Sequence, residues 1–244
     1  MQELRAQEIG IVQSSKTCIS RHGKLHLTTI ADARRRYSQL LLNTLTPWIK
    51  RSAVVLELGC GYGYNLWFLR RHFPEKQFIG GEFASNAIEI AARLFQRNQG
   101  VQVWPFNYYD VRYSIVERLE GRPFVLFTSH SIEQLPSAAH VAKMMAALEN
   151  LVAAVHFEPI TELNDGSLLG LLRRRYTEIN DYNRDLLICL RQQSGIVVTQ
   201  SRYDELGANP LNPTSIVSWR RKISPEVWKA KANGPLRNSL AGRR

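Results

Sequence analysis

Cysteine is scarce in this chain of 244 residues. The three cysteines, Cys18, Cys60 and Cys189, are widely spaced and form no Cys-x-x-Cys pair. An odd number without such a pair argues against a disulfide framework and against a zinc knuckle. We therefore expect a reducing, cytoplasmic environment and no metal site.

Long apolar runs are lacking as well. No stretch approaches the ~18 continuous apolar residues of a membrane helix, and the opening MQELRAQEIG has no apolar signal-peptide core. Secretion and membrane spanning are not expected. With 44% hydrophobic and 22% charged residues, the composition is that of an ordinary folded protein.

Acidic residues are fewer than basic ones, 21 against 32, which gives a formal net charge of +11. This charge attracts nucleic acid, a phosphorylated metabolite, an acidic carrier protein or anionic lipid, and it does not choose among them. Part of the excess lies in short runs that also suit a solvated surface. These runs are at 34–36, 173–175, 220–222 and 243–244.

The order of apolar segments predicts an α/β fold. Short runs rich in β-branched residues predict strands at 53–58, 77–81, 101–106, 124–128 and 151–157. Helical spacing separates them at 65–73, 85–99 and 139–148, where Ser85 suits a helix cap. This alternation predicts right-handed crossovers and a doubly wound, mostly parallel, Rossmann-like sheet.

The last third of the chain and its two ends differ from this core. Two late strands, 195–199 and 214–219, have no helix between them, so we expect them to pair antiparallel at one edge of a seven-stranded sheet. The expected organisation is an N-terminal helical segment, with an amphipathic helix at 29–50, then the sheet domain and a loosely held basic tail. Their bounds are 1–50, 51–223 and 224–244. Within the domain, 160–193 contains a long arginine-rich helix at 168–190 and is a candidate substrate cap.

The strongest signal is a glycine loop, ELGCGYG, that follows the first strand of the sheet and opens a helix. Glycine permits positive φ and close approach of a ligand to the backbone, although a plain tight turn would use the same residues. No Gly-Lys-Ser/Thr follows, which disfavours a triphosphate site. Glu57 precedes the glycines and suits a ligand with a positive charge. Glu82 ends the second strand 19 residues beyond Gly63, where a carboxylate can accept hydrogen bonds from ribose hydroxyls.

This run, followed by Glu82 and by a polar end of the third strand, resembles the class I S-adenosylmethionine-dependent methyltransferases. The resemblance implies S-adenosylmethionine as cofactor, with its methionine part held by Glu57 and the loop and its ribose by Glu82. It places Asn107, where the family often carries Asp, near the adenine. A strand-end cap remains an alternative for Asn107, as core packing does for Tyr108. The full set of expected cofactor contacts is Glu57, Gly59, Cys60, Gly61, Gly63, Glu82, Phe83, Asn107, Tyr108 and Ser129.

In doubly wound sheets, ligands bind beyond the carboxyl ends of the strands, so the residues after the fourth and fifth strands are expected to face the methyl group. His130 is the first candidate for a general base, because an imidazole titrates near neutrality. Glu133 or Glu158 would orient the imidazole or bind a cationic substrate group, and His156 is a further candidate. The plain alternatives are a hydrogen-bonded loop histidine, a buried histidine at 156 and a structural cap at Glu158.

Arginines and tyrosines in the 160–193 segment suit a phosphate, a carboxylate or a sugar. We expect the acceptor to be bound by Arg175, Tyr176, Tyr182 and Asn209. A solvated helix or a homodimer face is the alternative for this segment.

The motifs of nucleobase methylation are missing: no Asn-Pro-Pro-Tyr or Asp-Pro-Pro-Tyr follows the fourth strand, and no Pro-Cys pair occurs. We therefore expect methyl transfer to an oxygen or nitrogen of a small polar metabolite, such as a sugar or a natural-product intermediate. Whether that acceptor is free or carrier-bound, and whether it is anionic, stays open. The alternatives are an RNA methyltransferase that uses the positive charge, a non-catalytic cofactor-binding scaffold and a nicotinamide dehydrogenase.

Overall fold

The computed structural model describes residues 15–96 and 100–222. Its strands are β1 (Lys16–Arg21), β2 (Lys24–Thr29), β3 (Val54–Leu58), β4 (Gln77–Glu82), β5 (Val101–Pro105), β6 (Phe124–Ser129), β7 (Leu151–Glu158), β8 (Ile196–Leu206) and β9 (Thr214–Arg221). Its α-helices are α1 (Ile30–Ile49), α2 (Tyr64–Arg70), α3 (Ser85–Phe95), α4 (Ala139–Ala147), α5 (Leu168–Ile179) and α6 (Leu186–Gln192). Short 3₁₀ helices span Ser114–Leu119, Ile132–Gln134 and Thr161–Leu163.

Seven strands form one sheet in the order β5-β4-β3-β6-β7-β9-β8. The strands from β5 to β7 run parallel, whereas β9 runs antiparallel to both β7 and β8. The expected doubly wound sheet with an antiparallel pair at one edge is therefore confirmed. From β3 the chain first proceeds to β4 and β5, and then crosses back to β6 and β7. The strand order reverses between β3 and β6, which is where such sheets bind ligands.

Strand β3 is buried along its whole length because helices cover both faces of the sheet. Val55 packs with Leu41 and Leu45 of α1 on one face. Leu56 packs with Val141 of α4 on the other. This alternation fixes which face each β3 side chain meets and brings α1 close to the strand ends.

The N-terminal segment differs from the expected helical one. Its described part begins with a hairpin, β1–β2, whose two-residue turn uses positive φ at His22 and Gly23 (50° and 75°). The backbone of Ser20 exchanges two hydrogen bonds of 2.9 Å with Gly207, which attaches the hairpin to the end of β8. Helix α1 follows at once, and the Thr29 side chain caps it.

Two further expectations were wrong in detail. Ser85 is the first residue of α3 rather than its cap, and no side chain caps that end. The expected helix at 168–190 is interrupted between α5 and α6, where Asp181 adopts a positive φ of 50°. The expected basic tail at 224–244 lies outside the described residues. Within the described ranges, no helix has the length and apolarity needed to cross a membrane.

Candidate active site

The glycine loop after β3 adopts the conformation that its sequence requires. Gly59, Gly61 and Gly63 have φ of 72°, 54° and 83°, which L side chains rarely adopt. A side chain at Gly59 would collide with Ser131, and one at Gly63 would come within 2.9 Å of the Phe95 ring. At Gly61 a Cβ would meet no described atom within 4 Å. Gly61 is therefore the glycine whose missing side chain leaves open space beside the loop.

Cys60 contributes its backbone to the loop rather than its thiol. The Cys60 side chain is buried, and its Sγ lies 3.4 Å from the Gly61 carbonyl. The sulfur packs against Gly80 of β4, where a Cβ would approach it within 2.5 Å. Burial raises the pKa of this thiol well above its ordinary value, and the nearby carboxylates of Glu57 and Glu82 add to the effect.

Glu57 presents an unpaired carboxylate oxygen beside this loop. The side chain is 1% exposed, and its Oε1 accepts a hydrogen bond of 2.7 Å from Asn65 Nδ2. Its Oε2 is buried without a hydrogen-bond partner among the described residues. Burial, with a contribution from Glu82, raises the pKa of Glu57 to about 8. Because a buried carboxylate oxygen without a donor is unfavourable, the site fits a ligand that brings N–H groups and a positive charge.

Glu82 joins the loop to the next strand. Its Oε2 accepts a hydrogen bond of 2.7 Å from the Gly61 amide, and its Oε1 accepts from the amides of Phe83 and Ala84 at 2.9 and 2.8 Å. A carboxylate has about four lone-pair sites, so Glu82 can accept further hydrogen bonds from hydroxyl groups.

Three of the expected cofactor contacts, Phe83, Asn107 and Tyr108, separate into a surface pair and a core residue. Phe83 is 76% exposed, and the half-buried Asn107 lies at the adjacent strand end, where its Oδ1 accepts from the Tyr109 amide. Tyr108 is instead buried beneath the loop, and its hydroxyl donates to the Leu58 carbonyl at 3.1 Å. Phe83 and Asn107 are thus available to a ligand, whereas Tyr108 supports the loop from below.

The loop after β6 holds a histidine between two partners. His130 Nδ1 lies 2.9 Å from Glu133 Oε2, and His130 Nε2 lies 2.7 Å from the Thr214 hydroxyl. Burial disfavours the charged imidazole, but the hydrogen bond and charge of Glu133, together with the charge of Glu158, outweigh it and raise the pKa of His130. Glu133 also accepts from Asn212 Nδ2 at 3.1 Å. His130, Glu133, Asn212 and Thr214 therefore form one hydrogen-bonded cluster.

Glu158 lies below this cluster as an anchor. Its carboxylate accepts hydrogen bonds of 3.1–3.3 Å from the amides of Ser131, Ile132 and Glu133, at the start of a 3₁₀ helix. Burial and the charge of Glu133 raise the pKa of Glu158 to about 7. All four of these hydrogen bonds come from the backbone, so Glu158 caps the 3₁₀ helix after β6, whereas the cap expected of it was for the segment that follows β7.

His156 lies outside the site, contrary to its place among the expected catalytic residues. The side chain is completely buried within the sheet, where Nδ1 pairs with the Thr128 hydroxyl at 3.0 Å and Nε2 accepts from the Trp219 indole at 2.9 Å. Burial lowers the pKa of His156 to about 3, so the ring is neutral and both nitrogens are engaged.

Helix α1 brings a residue that the sequence analysis missed. The hydroxyl of Tyr37 lies 2.5 Å from the Oγ of Ser129, at the carboxyl end of β6. Burial raises the pKa of Tyr37 well above its ordinary value, and the carboxylates of Glu57, Glu158 and Glu133 raise it further. The phenol therefore lies within electrostatic reach of both the glycine loop and the His130 cluster. Its only sequence signal was a position in the apolar stripe of α1.

Three of the four residues expected to bind the acceptor meet in space. The rings of Tyr176 and Tyr182 are 6.2 Å apart, and Asn209 Nδ2 lies 3.3 Å from the Tyr176 hydroxyl. The amide of Asn183, the residue after Tyr182, donates to the Glu133 carbonyl at 2.7 Å, so this tyrosine lies near the His130 cluster. Burial and Glu133 raise the pKa of Tyr182. Arg175 does not join them, because it is exposed and pairs with Glu178 at 3.2 Å.

Most of the chain is similar to known methyltransferases. A protein-family model described as a methyltransferase domain matches residues 30–185, more than half of the chain. The chain belongs to the methyltransferase-domain family. The resemblance seen in the glycine loop is thereby confirmed, as is the expectation of an S-adenosylmethionine-dependent methyltransferase. A search of curated protein sequences gives no match.

Solved structures share the fold of this methyltransferase domain at low sequence identity. A sarcosine dimethylglycine methyltransferase from Galdieria sulphuraria is 16% identical, with a TM-score of 0.55 over 79% of this chain and 88% of that chain. The geranyl diphosphate C-methyltransferase of Streptomyces coelicolor A3(2), solved with S-adenosyl-L-homocysteine, is 10% identical, with a TM-score of 0.56 over 80% and 82%. The N-methyltransferase NodS of Bradyrhizobium japonicum WM9, also solved with S-adenosyl-L-homocysteine, is 12% identical, with a TM-score of 0.52 over 78% and 87%. Their names indicate different acceptors, so the shared fold leaves the acceptor of this methyltransferase domain undefined.

Proposed function

We propose that this methyltransferase domain transfers a methyl group from S-adenosylmethionine to an oxygen or nitrogen of a small polar metabolite, such as a sugar or a natural-product intermediate. The observation that carries the proposal is the placement of two groups at neighbouring strand ends. Glu57, in β3, has a carboxylate oxygen without a hydrogen-bond donor among the described residues, and the open glycine loop follows it. The His130–Glu133 pair follows β6. The strand order reverses between these two strands.

The residues present fit the cofactor. Glu57 Oε2 would accept from the ammonium of its methionine part, the open side of Gly61 would admit it, and Glu82 would accept from ribose hydroxyls. Phe83 and Asn107 would border the adenine. When bound, S-adenosylmethionine supplies an electrophilic methyl group on a sulfonium.

His130 is the proposed general base. Glu133 accepts from Nδ1–H, which fixes the tautomer and leaves the lone pair on Nε2, now in contact with the Thr214 hydroxyl. An acceptor hydroxyl or amine that replaces Thr214 at this hydrogen bond would give its proton to Nε2 as its oxygen or nitrogen gains the methyl group. Glu158 would keep the loop, and with it His130, in position.

The surroundings of His130 favour a neutral or cationic acceptor over an anionic one. Two carboxylates, those of Glu133 and Glu158, are buried beside His130. Two arginines of the run that suggested an anionic acceptor are already paired with carboxylates of the protein: Arg173 pairs with Asp204, and Arg175 pairs with Glu178. A carrier-bound acceptor, a homodimer and a cytoplasmic location stay predictions from the sequence.

Two measurements test the proposal. Calorimetry should detect binding of S-adenosylhomocysteine and none of NAD; binding of NAD alone would overturn it. Purified protein is then incubated with S-adenosylmethionine and a panel of sugars, amino sugars, polyols and small amines, with RNA as a separate sample, while release of S-adenosylhomocysteine is measured. Turnover that depends on a panel compound and is lost in His130→Ala supports the proposal. Turnover with RNA alone, with steep salt dependence, would favour an RNA methyltransferase.

A further inference from the structure

The protonation state of Glu57 is a feature of this site beyond its hydrogen bonds. We infer that Glu57 is a neutral carboxylic acid in the free protein and becomes a carboxylate when the cofactor binds, so that one proton leaves the protein for each cofactor bound. Glu57 thereby makes the site specific for donors that carry a charged amino-acid end. The inference goes beyond the proposed function and rests on its cofactor.

The geometry of the free site disfavours a charge on Glu57. The side chain is 1% exposed, and among the described residues its single hydrogen-bond donor is the neutral amide of Asn65. Its second oxygen, Oε2, is buried and has no donor within the described part of the chain. A proton on Oε2 removes the charge that burial penalises, and the neutral acid is therefore the favoured form.

The groups around Glu57 do not supply a counter-charge. Glu82 approaches from the end of β4, Cys60 from the loop, Tyr37 from α1 and Tyr108 from the segment after β5. Each of these is acidic or neutral. Glu82 raises the pKa of Glu57, and Glu57 in turn raises the pKa values of the other three. The pKa of Glu57, raised to about 8, agrees with this arrangement. None of these four described residues brings a positive charge, so a ligand ammonium would supply the counter-charge.

Cofactor binding and the protonation of Glu57 are coupled, and binding favours loss of the proton. An ammonium beside Oε2 favours the carboxylate, so the pKa of Glu57 is high in the free protein and low in the complex. Between these two values, binding releases a proton, and the affinity rises about tenfold for each unit of pH. Above about pH 8, where free Glu57 is already ionised, the affinity becomes independent of pH.

Calorimetry of S-adenosylhomocysteine binding at pH 7, in buffers of different ionisation enthalpy, measures the released protons directly. The wild type should release about one proton, because a group of pKa about 8 is about nine-tenths protonated at pH 7. The matched probe is 5′-methylthioadenosine, which keeps the nucleoside and lacks the amino-acid end. It should bind without proton release.

Two variants separate Glu57 from other buried acids. In Glu57→Gln, S-adenosylhomocysteine should bind at least tenfold more weakly and release no proton. Glu162→Gln is the control, because Glu162 is another carboxylate with a raised pKa. It lies outside the site, in the 3₁₀ helix Thr161–Leu163, and its carboxylate accepts hydrogen bonds from amides at the start of α6. It should release the same proton as the wild type. The pH dependence of wild-type affinity from pH 6 to 9 gives a second readout that needs no variant.

The outcomes are distinguishable. If S-adenosylhomocysteine and 5′-methylthioadenosine both fail to bind, the proposed function fails and the inference fails with it. If S-adenosylhomocysteine binds with no proton release and with constant affinity across this range, only the inference is overturned. The inference is also overturned if Glu57→Gln still releases a proton when it binds S-adenosylhomocysteine. It is likewise overturned if the wild type releases as many protons with 5′-methylthioadenosine as with S-adenosylhomocysteine.

Discussion

The guanidinium of Arg173 lies 2.9 Å from the carboxylate of Asp204, and both side chains are almost fully buried, at 1% and 0% exposure. Arg173 also donates to the Ser20 hydroxyl and to the Pro210 carbonyl, each at 2.8 Å. The pair therefore ties α5 to the N-terminal hairpin and to the edge strands of the sheet. Arg173 belongs to an arginine run that also suited a solvated surface, but it is a buried residue that connects these elements.

Removing this buried arginine should destabilise the fold strongly. Arg173→Met leaves the carboxylate of Asp204 buried without its charge partner, which costs about 3–5 kcal/mol. Arg175→Met is the control, because Arg175 pairs with Glu178 on the surface, and exposed pairs contribute at most about 1 kcal/mol. Urea unfolding of the two variants measures the difference. Equal losses of stability would show that the buried pair is not a structural centre.

A side chain at Gly61 should block the cofactor without unfolding the protein. Gly61→Val places a branched group in the open space beside the loop and is expected to abolish binding of S-adenosylhomocysteine in calorimetry. Gly121→Val is the matched control. Gly121 also has a positive φ, 69°, and open surroundings, but lies between a 3₁₀ helix and β6. Both variants place valine at a positive φ, so their backbone strain is comparable. Equal cofactor affinity in the two would contradict the role given to Gly61.

Loss of the His130 imidazole should slow turnover while cofactor binding persists. We expect His130→Ala to reduce kcat about 10²-fold or more, with the acceptor found in the panel, and to leave the affinity for S-adenosylhomocysteine unchanged. Only the neutral imidazole accepts a proton, so wild-type kcat should rise with pH through the pKa of His130, above its ordinary 6.5. In Glu133→Gln the negative charge that raises this pKa is gone, and the rising limb should move to lower pH. An unchanged limb would remove His130 from the role of base.

His156 should make the fold sensitive to acid. The folded pKa of about 3 lies below the ordinary 6.5, so as the pH falls below 6.5 the unfolded chain takes up a proton that the folded chain cannot. Stability is then lost by about 1.4 kcal/mol for each unit of pH, and above pH 6.5 the group has no effect. Urea unfolding measures the free energy of unfolding that is lost between pH 7.5 and pH 5.5. This loss should be smaller by about 1 kcal/mol in His156→Gln than in the wild type. The exposed His26→Gln serves as control and should behave as the wild type.

Much of the architecture could be predicted because it depends on local pattern. The buried strands β3, β6 and β7 read as short continuous apolar runs, and the glycine loop specifies a backbone that L side chains avoid. The hairpin β1–β2 was missed although its signal was present. A His-Gly turn between two alternating segments is a short cue, and the neighbouring helix pattern dominated the prediction.

The sequence pattern brought together the residues around the glycine loop more fully than those around His130. Glu57, Gly61 and Glu82 lie within one βαβ unit, so a short stretch of sequence determines their relation. His130 meets its partner Thr214 across 84 positions of the chain, and Tyr37 meets Ser129 across 92. No local pattern reports such contacts.

The sequence by itself determined the strand-and-helix alternation, the positive-φ loop and the two acids that flank it, because each follows from side chains close together along the chain. Only the tertiary structure decided which polar side chains are free to act. It enclosed His156 between Thr128 and Trp219, and it joined Arg173 to Asp204. It also left Glu57 Oε2 buried without a donor from the described part of the chain. The physical reason is that burial and hydrogen-bond pairing depend on neighbours brought together by folding.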